Sequence, residues 1–150
     1  MFNIVLVEPE IPQNTGNIVR LCACMGANLY LVGKLGFSIS EKHVKRAGLD
    51  YWEDVNIKQY ASLEDLKKEF PDNNFYYFTT KTKKLYTDVN FKEGDFFVFG
   101  SETRGLAKNI LDANMDKCLT LPMKEGQRSL NLSNTVAVAV YEGLRQNGFK

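Results

Sequence analysis

An excess of charge of one sign is lacking in this chain. Its 19 Lys and Arg stand against 18 Asp and Glu, a net charge of +1. That excludes a strongly basic nucleic-acid binder and leaves room for a local patch. Histidine occurs once, at His43, and cysteine three times. One histidine leaves no obvious serine-hydrolase triad, and no GxSxG accompanies it; His43 reads as a surface residue. Cys22, Cys24 and Cys118 form CxC plus one, which is neither a disulfide framework nor a zinc pattern. Cys22 and Cys118 lie in apolar segments and read as small core residues, and a reducing, cytoplasmic home fits the count. No apolar run reaches the ~18 residues of a membrane span, and the N-terminus lacks a signal peptide's layout. GxGxxG is missing after the first strand, and so is GxxxxGK[ST], which removes the usual dinucleotide and NTPase readings. Clustered metal ligands, linkers, repeats and low-complexity segments are also lacking, so no metal is expected.

What is present is an ordinary globular composition, 44% hydrophobic and 25% charged over 150 residues, and one domain spanning 1–150 is the simplest expectation. Asn3–Val7 is a continuous apolar run, as in a parallel strand buried on both faces. Prolines 9 and 12 end it. A helix is expected from near Thr15 to Met25, with Ile18, Leu21, Cys22 and Met25 as its buried stripe. Asn14, Asn17 and Arg20 lie off that stripe, the last two on one face. Further strands are expected at Asn28–Val32, Val55–Tyr60, Phe75–Thr80, Phe96–Phe99 and Cys118–Leu121. Helices are expected at Glu41–Ala47, after Ser62, at Ala107–Ala113 and at Asn131–Gln146, with Gly148 as the last one's C-cap. Alternation of this kind predicts an α/β fold with a mostly parallel sheet, helices on both faces and right-handed crossovers.

Three polar corners interrupt the apolar pattern: Asn14–Arg20, Gly100–Gly105 and Leu121–Asn134. The last two each follow an apolar strand directly. Ligands in open α/β sheets sit outside the carboxyl ends of strands, so convergence of the three corners is the expectation. Ser129, Asn131, Ser133 and Asn134 crowd the start of the last helix. They serve either as a redundant N-cap or as a corner whose N–H groups and hydroxyls face a ligand. Lys42, Lys45 and Arg46 form a small basic face, either solvated or in contact with RNA. The Phe75–Thr80 strand ends in two hydroxyls followed by Lys81, Lys83 and Lys84, either a ligand or phosphate rim or a solvated turn. Both sets are local patches on which RNA affinity could rest. Tyr51 and Trp52 suit core or dimer packing more than base stacking.

PEIPQNTGNIVRLCA, FGSETRGL and LPMKEGQRSLNLSNTVAVAVYE resemble, in this order and across nearly the whole chain, the three signature motifs of the SPOUT superfamily of RNA methyltransferases. Within it, the chain is similar to the small TrmL-type tRNA 2′-O-methyltransferases that modify the wobble nucleotide of the anticodon. The resemblance implies a C-terminal deep trefoil knot, an S-adenosylmethionine cofactor held bent, a tRNA anticodon stem-loop as partner, and a homodimer with each active site near the subunit interface. It implies a cofactor pocket built from Phe78, Thr79, Gly100, Glu102, Leu121, Met123, Ser129 and Leu130, and catalysis by Arg20, Asn14, Glu102, Ser129 and Asn131. An arginine with a pKa above ~12 is a poor free base. Arg20 is therefore expected to hold a substrate phosphate and the oxygen where negative charge develops. The other readings are ribose methylation of another RNA, such as ribosomal RNA, and a non-catalytic RNA-binding or assembly factor of the same fold.

Overall fold

The computed structural model describes residues 1–38 and 52–150. The expected helix Glu41–Ala47, its basic face Lys42, Lys45 and Arg46, and also His43 and Tyr51 lie outside the described residues. Six strands form one parallel sheet: β1 (Asn3–Val7), β2 (Asn28–Val32), β3 (Ile57–Tyr60), β4 (Phe75–Phe78), β5 (Phe96–Phe99) and β6 (Cys118–Leu119). Their spatial order is β3-β2-β1-β5-β4-β6. The described helices are α1 (Pro12–Met25), α2 (Leu63–Glu69), α3 (Lys108–Ala113) and α4 (Leu132–Gln146).

The strands alternate between two apolar layers, because successive side chains of a strand point to opposite faces. Ile4, Leu6, Leu29, Leu31, Phe97 and Phe99 face α1 and α4, which contribute Ile18, Val19, Cys22, Val136, Ala139 and Val140. Val5, Tyr30, Val32, Phe96 and Val98 face the other way, onto Leu66 of α2 and Leu111 of α3. Helices therefore cover both faces, as the unbroken apolar strands require. Trp52 packs against the first layer. Burial pushes the Cys22 thiol up to about 12 and raises Cys118 as well, in keeping with their role as core residues.

Several boundaries differ from the sequence expectation. α1 begins at Pro12 rather than near Thr15, because proline's fixed φ suits the first helical position as well as it ends a strand. β3 starts at Ile57, behind a 3₁₀ turn at Trp52–Asp54. β4 stops at Phe78 and β6 at Leu119. Asn147 is the C-cap of α4. Gly148 follows it with φ +71°, and its N–H and that of Phe149 donate to the carbonyls of Arg145 and Leu144, the 5→2 and 6→1 pattern that ends many helices.

α4 lies close on the sheet at Gly143. A Cβ there would stand 2.9 Å from the Phe2 ring and 3.2 Å from the Phe97 ring, and those two rings already pack with centroids 5.1 Å apart. Gly143→Ala is expected to cost about 1–3 kcal/mol through overpacking, measured as a lower urea midpoint with an unchanged m-value.

Candidate active site

The strand order reverses between β1 and β5, where the chain has gone outward one way through β2 and β3 and the other way through β4 and β6. The loops leaving these two strands must part there, and a crevice opens at the carboxyl ends. The loop after β5 is a tight turn. Gly105 N–H donates to the Ser101 carbonyl at 2.9 Å, and Gly105 supplies the left-handed φ of +67° that this return needs. Gly100 sits against the returning limb: a Cβ on it would lie 2.1 Å from the Gly105 carbonyl carbon and 2.3 Å from the Leu106 nitrogen. Glycine is required here for the chain to approach itself.

Two carboxylates lock this loop to the one after β1. Glu102 accepts from the N–H groups of Glu10 (2.8 Å) and Ile11 (2.7 Å) and from the Asn14 amide (3.2 Å). In return, Glu10 accepts from the Thr103 N–H (3.1 Å) and hydroxyl (2.6 Å). Ile11, the N-cap of α1, has no side-chain cap of its own. Glu102 thus supplies from outside the acceptor and the negative charge that a helix start favours. The Thr103 donors hold the Glu10 carboxyl below its ordinary value. That contribution is fully present above the ordinary carboxylate range and is lost as acidification passes through the lowered value.

Asn14 carries the connection onward. It is 5% exposed, although helical periodicity puts it off the buried stripe. At the first turn of α1 it fills the gap between the β5 loop and α4, with both ends of its amide used. Its Nδ2 donates to Glu102, and its Oδ1 accepts from Asn131 Nδ2 at 3.1 Å. Asn131 is the N-cap of α4; its Oδ1 accepts from the N–H groups of Ser133 (2.9 Å) and Asn134 (3.3 Å) and from the Ser133 hydroxyl. One chain of hydrogen bonds therefore runs Glu102–Asn14–Asn131 across residues up to 117 positions apart. The expected crowd of caps is resolved: Asn131 performs the capping, Ser133 supports it, and Ser129 is left facing the cavity.

That cavity, about 860 Å³, is lined by Phe78, Thr79, Gly100, Glu102, Leu121, Met123, Ser129 and Leu130, together with Asn14 and Asn131. Every cofactor-binding candidate thus stands at one place, and so do all the catalytic candidates except one. Arg20 is exposed on α1 and does not line the cavity. Sequence reading missed Ile11, Phe99, Leu106 and Thr135, which also line it. For Phe99 a signal existed. It ends β5 in register with Phe78, and the rings stack with centroids 4.8 Å apart.

The family model described as the SpoU rRNA methylase family matches residues 1–141. The chain belongs to that family. A tRNA (cytidine(34)-2′-O)-methyltransferase of Polaromonas sp. is 52% identical over 152 residues, covering 99% of this chain and 93% of its own. A Burkholderia pseudomallei protein of the same name is 49% identical, covering 100% and 98%. A solved structure concerned with 2-OH methylation of C/U34 on tRNA superposes with a TM-score of 0.94 at 38% identity, covering 100% and 98%. The SpoU methyltransferase AviRb of Streptomyces viridochromogenes, solved in complex with AdoMet, shares the fold with a TM-score of 0.88 at 20% identity, covering 99% and 61%. For this SpoU-family chain, the cavity at the switch point is the candidate active site. Among the described residues no group of three or more metal-ligating side chains converges, and no helix is long and apolar enough to cross a membrane.

Proposed function

We propose that this chain is an S-adenosylmethionine-dependent tRNA 2′-O-methyltransferase acting on the wobble nucleotide of the anticodon, cytidine 34 or a modified uridine. One observation carries the reading. Residues of all three polar corners, Asn14 alone from the first, line one cavity, in a chain about half identical, end to end, to relatives named for that reaction. The cavity's chemistry suits the cofactor. Leu121, Met123 and Leu130 offer apolar flanks for an adenine, and the strand-end loops offer backbone donors and acceptors for its edge.

S-adenosylmethionine supplies a methyl group already activated on a sulfonium, leaving the protein to position the ribose 2′-hydroxyl and ease its proton away. Glu102, Asn14 and Asn131 act by holding the loops that frame the acceptor. Ser129 presents a hydroxyl into the cavity. Arg20 steadies a substrate phosphate and the oxygen where charge develops. Because Arg20 stands exposed and outside its own chain's cavity, it serves the partner's cavity in a homodimer with the active sites near the interface. Val138 and Tyr141, exposed and three positions apart on α4 so that they share a face, support such an interface. One domain, 1–150, carries the activity, in the cytoplasm.

The C-terminal part is proposed to be a deep trefoil knot. In support, the Leu119 carbonyl accepts from Thr79 N–H at 3.0 Å, while Thr120 bonds Lys84 (2.8 Å) and Tyr86 (3.0 Å). Successive residues of a strand bond to opposite sides, so this strand runs between the two limbs of the 79–86 loop.

Nucleoside mass spectrometry of tRNA from a deletion strain tests the substrate: wobble 2′-O-methylation is expected to disappear, and its persistence would sink the reading. The family description favours a second reading, methylation of ribosomal RNA, and the same measurement on that RNA decides it. Arg20→Ala is expected to leave cofactor affinity unchanged by calorimetry and to lower turnover by on the order of 10²-fold, as loss of one charge-stabilising donor does.

A further inference from the structure

Three cations line the cavity: Lys81, Arg104 and Arg128. They come from three separate loops, after β4, after β5 and before α4. All three are exposed, and none forms an ion pair among the described residues. The one carboxylate in the lining, Glu102, has both oxygens taken by backbone and amide donors. Three cations against that one carboxylate give the lining a formal charge of +2 (3 − 1), in a chain whose net charge is only +1. Two of the cations stand on loops that are pinned. Thr79 Oγ1 accepts from the Lys81 N–H at 3.1 Å. The turn carrying Arg104 is held by the Glu10–Thr103 pair and by the Ser101 hydroxyl, which accepts from the Arg104 N–H at 3.3 Å. Exposed cations gathered from three loops around a concave mouth are an anion-binding arrangement. At about 860 Å³ the cavity is at the large end for a single small ligand, which leaves room beside a cofactor for part of a polyanion.

We propose that Lys81, Arg104 and Arg128 form a phosphate clamp that grips the RNA backbone on either side of the target ribose. The inference rests on the RNA methyltransferase reading and adds the residues that seat the substrate. It accounts for how a nearly neutral chain binds RNA: the charge is concentrated at the mouth. The three residues are not interchangeable with surface lysines elsewhere, such as Lys68 on α2.

The test uses the full chain and a synthetic anticodon stem-loop RNA with cytidine at the wobble position. Each phosphate contact contributes about 0.7–0.9 to the slope of log affinity against log salt, or roughly fivefold in affinity near 0.1 M salt. Lys81→Ala, Arg104→Ala and Arg128→Ala are each expected to weaken RNA binding by about that factor and to reduce the slope by about one; the triple variant loses on the order of 10²-fold. Arg128→Lys keeps the slope and Lys68→Ala changes nothing, while S-adenosylmethionine affinity, read by calorimetry on the same variants, stays at the wild-type value. Weakened cofactor affinity with RNA binding intact would reassign these cations to the cofactor's own carboxylate and overturn the clamp. RNA binding and slope that match wild type in the triple variant would overturn it too. A wild-type protein that leaves the stem-loop unmethylated overturns the underlying reading, and the clamp with it. A wild type that methylates it while the triple variant binds normally overturns the clamp alone.

Discussion

A Gly100→Val protein is expected to bind S-adenosylmethionine on the order of 10²-fold more weakly than wild type, a loss of about 3 kcal/mol. The cause lies in the protein rather than in a direct clash with ligand. The new Cβ would sit 2.1 Å from the Gly105 carbonyl carbon and 2.5 Å from its oxygen, atoms of backbone that cannot rotate away. The returning limb of the loop has to move by about an ångström, and the wall of the cavity moves with it. Displacements of that size cost about 10²-fold wherever geometry decides. Gly105→Ala is the internal comparison. Gly105 has φ +67°, and a Cβ added there would meet nothing within 4 Å. Alanine at this position therefore carries only the left-handed backbone cost, about 1–2 kcal/mol, and cofactor affinity falls far less. Calorimetry on both proteins, with circular dichroism to confirm folding, separates the two. Equal losses would show that loop conformation, and not the close approach at Gly100, is what the cofactor needs.

Glu102→Ala is expected to lower kcat/KM by about 10²-fold and folding stability by about 1–2 kcal/mol, the usual cost of removing a helix cap. Three donors lose their acceptor together: the N–H groups of Glu10 and Ile11 and the Asn14 amide. The Asn14–Asn131 contact remains, but Asn14 is then tied to the loop after β1 only through its N–H on the Ile11 carbonyl, at 3.1 Å. The β5 loop is no longer fastened to Asn14 and keeps the loop after β1 only through the Glu10–Thr103 pair. Glu102→Gln is the more telling variant. It keeps the volume but places an NH₂ against at least one N–H donor, so part of the network fails and the kinetic loss persists with a smaller loss in stability. Single-turnover rates and thermal melts measured on both proteins check this. Full activity in Glu102→Gln would mean that the carboxylate does no positioning.

Much of this is legible in one dimension. Ile4–Val7 and Phe96–Phe99 have to be central strands, since runs apolar at every position bury both faces. The glycines of FGSETRGL mark a place where backbone meets backbone, and at Gly100 the protein neighbour is the loop's own return. Asn14 escapes the helical pattern because periodicity describes the side of a helix, whereas this residue sits at its end, where loops from elsewhere supply the partners. Proline 12 stops a strand and also starts a helix, because the same fixed φ serves both.

Local chemistry, then, settled the elements, the parallel sheet and the roster of polar residues, because period, β-propensity and capping act over a few neighbouring positions. Only the tertiary structure decided which of those residues share work. Glu102, Asn14 and Asn131 are tied into one network by hydrogen bonds whose partners lie 88 and 117 positions apart, and Lys81, Arg104 and Arg128 line one cavity from three loops. Hydrogen bonds and charges act through space over a few ångströms, and strand order, which no local pattern encodes, determines which distant loops come within that range.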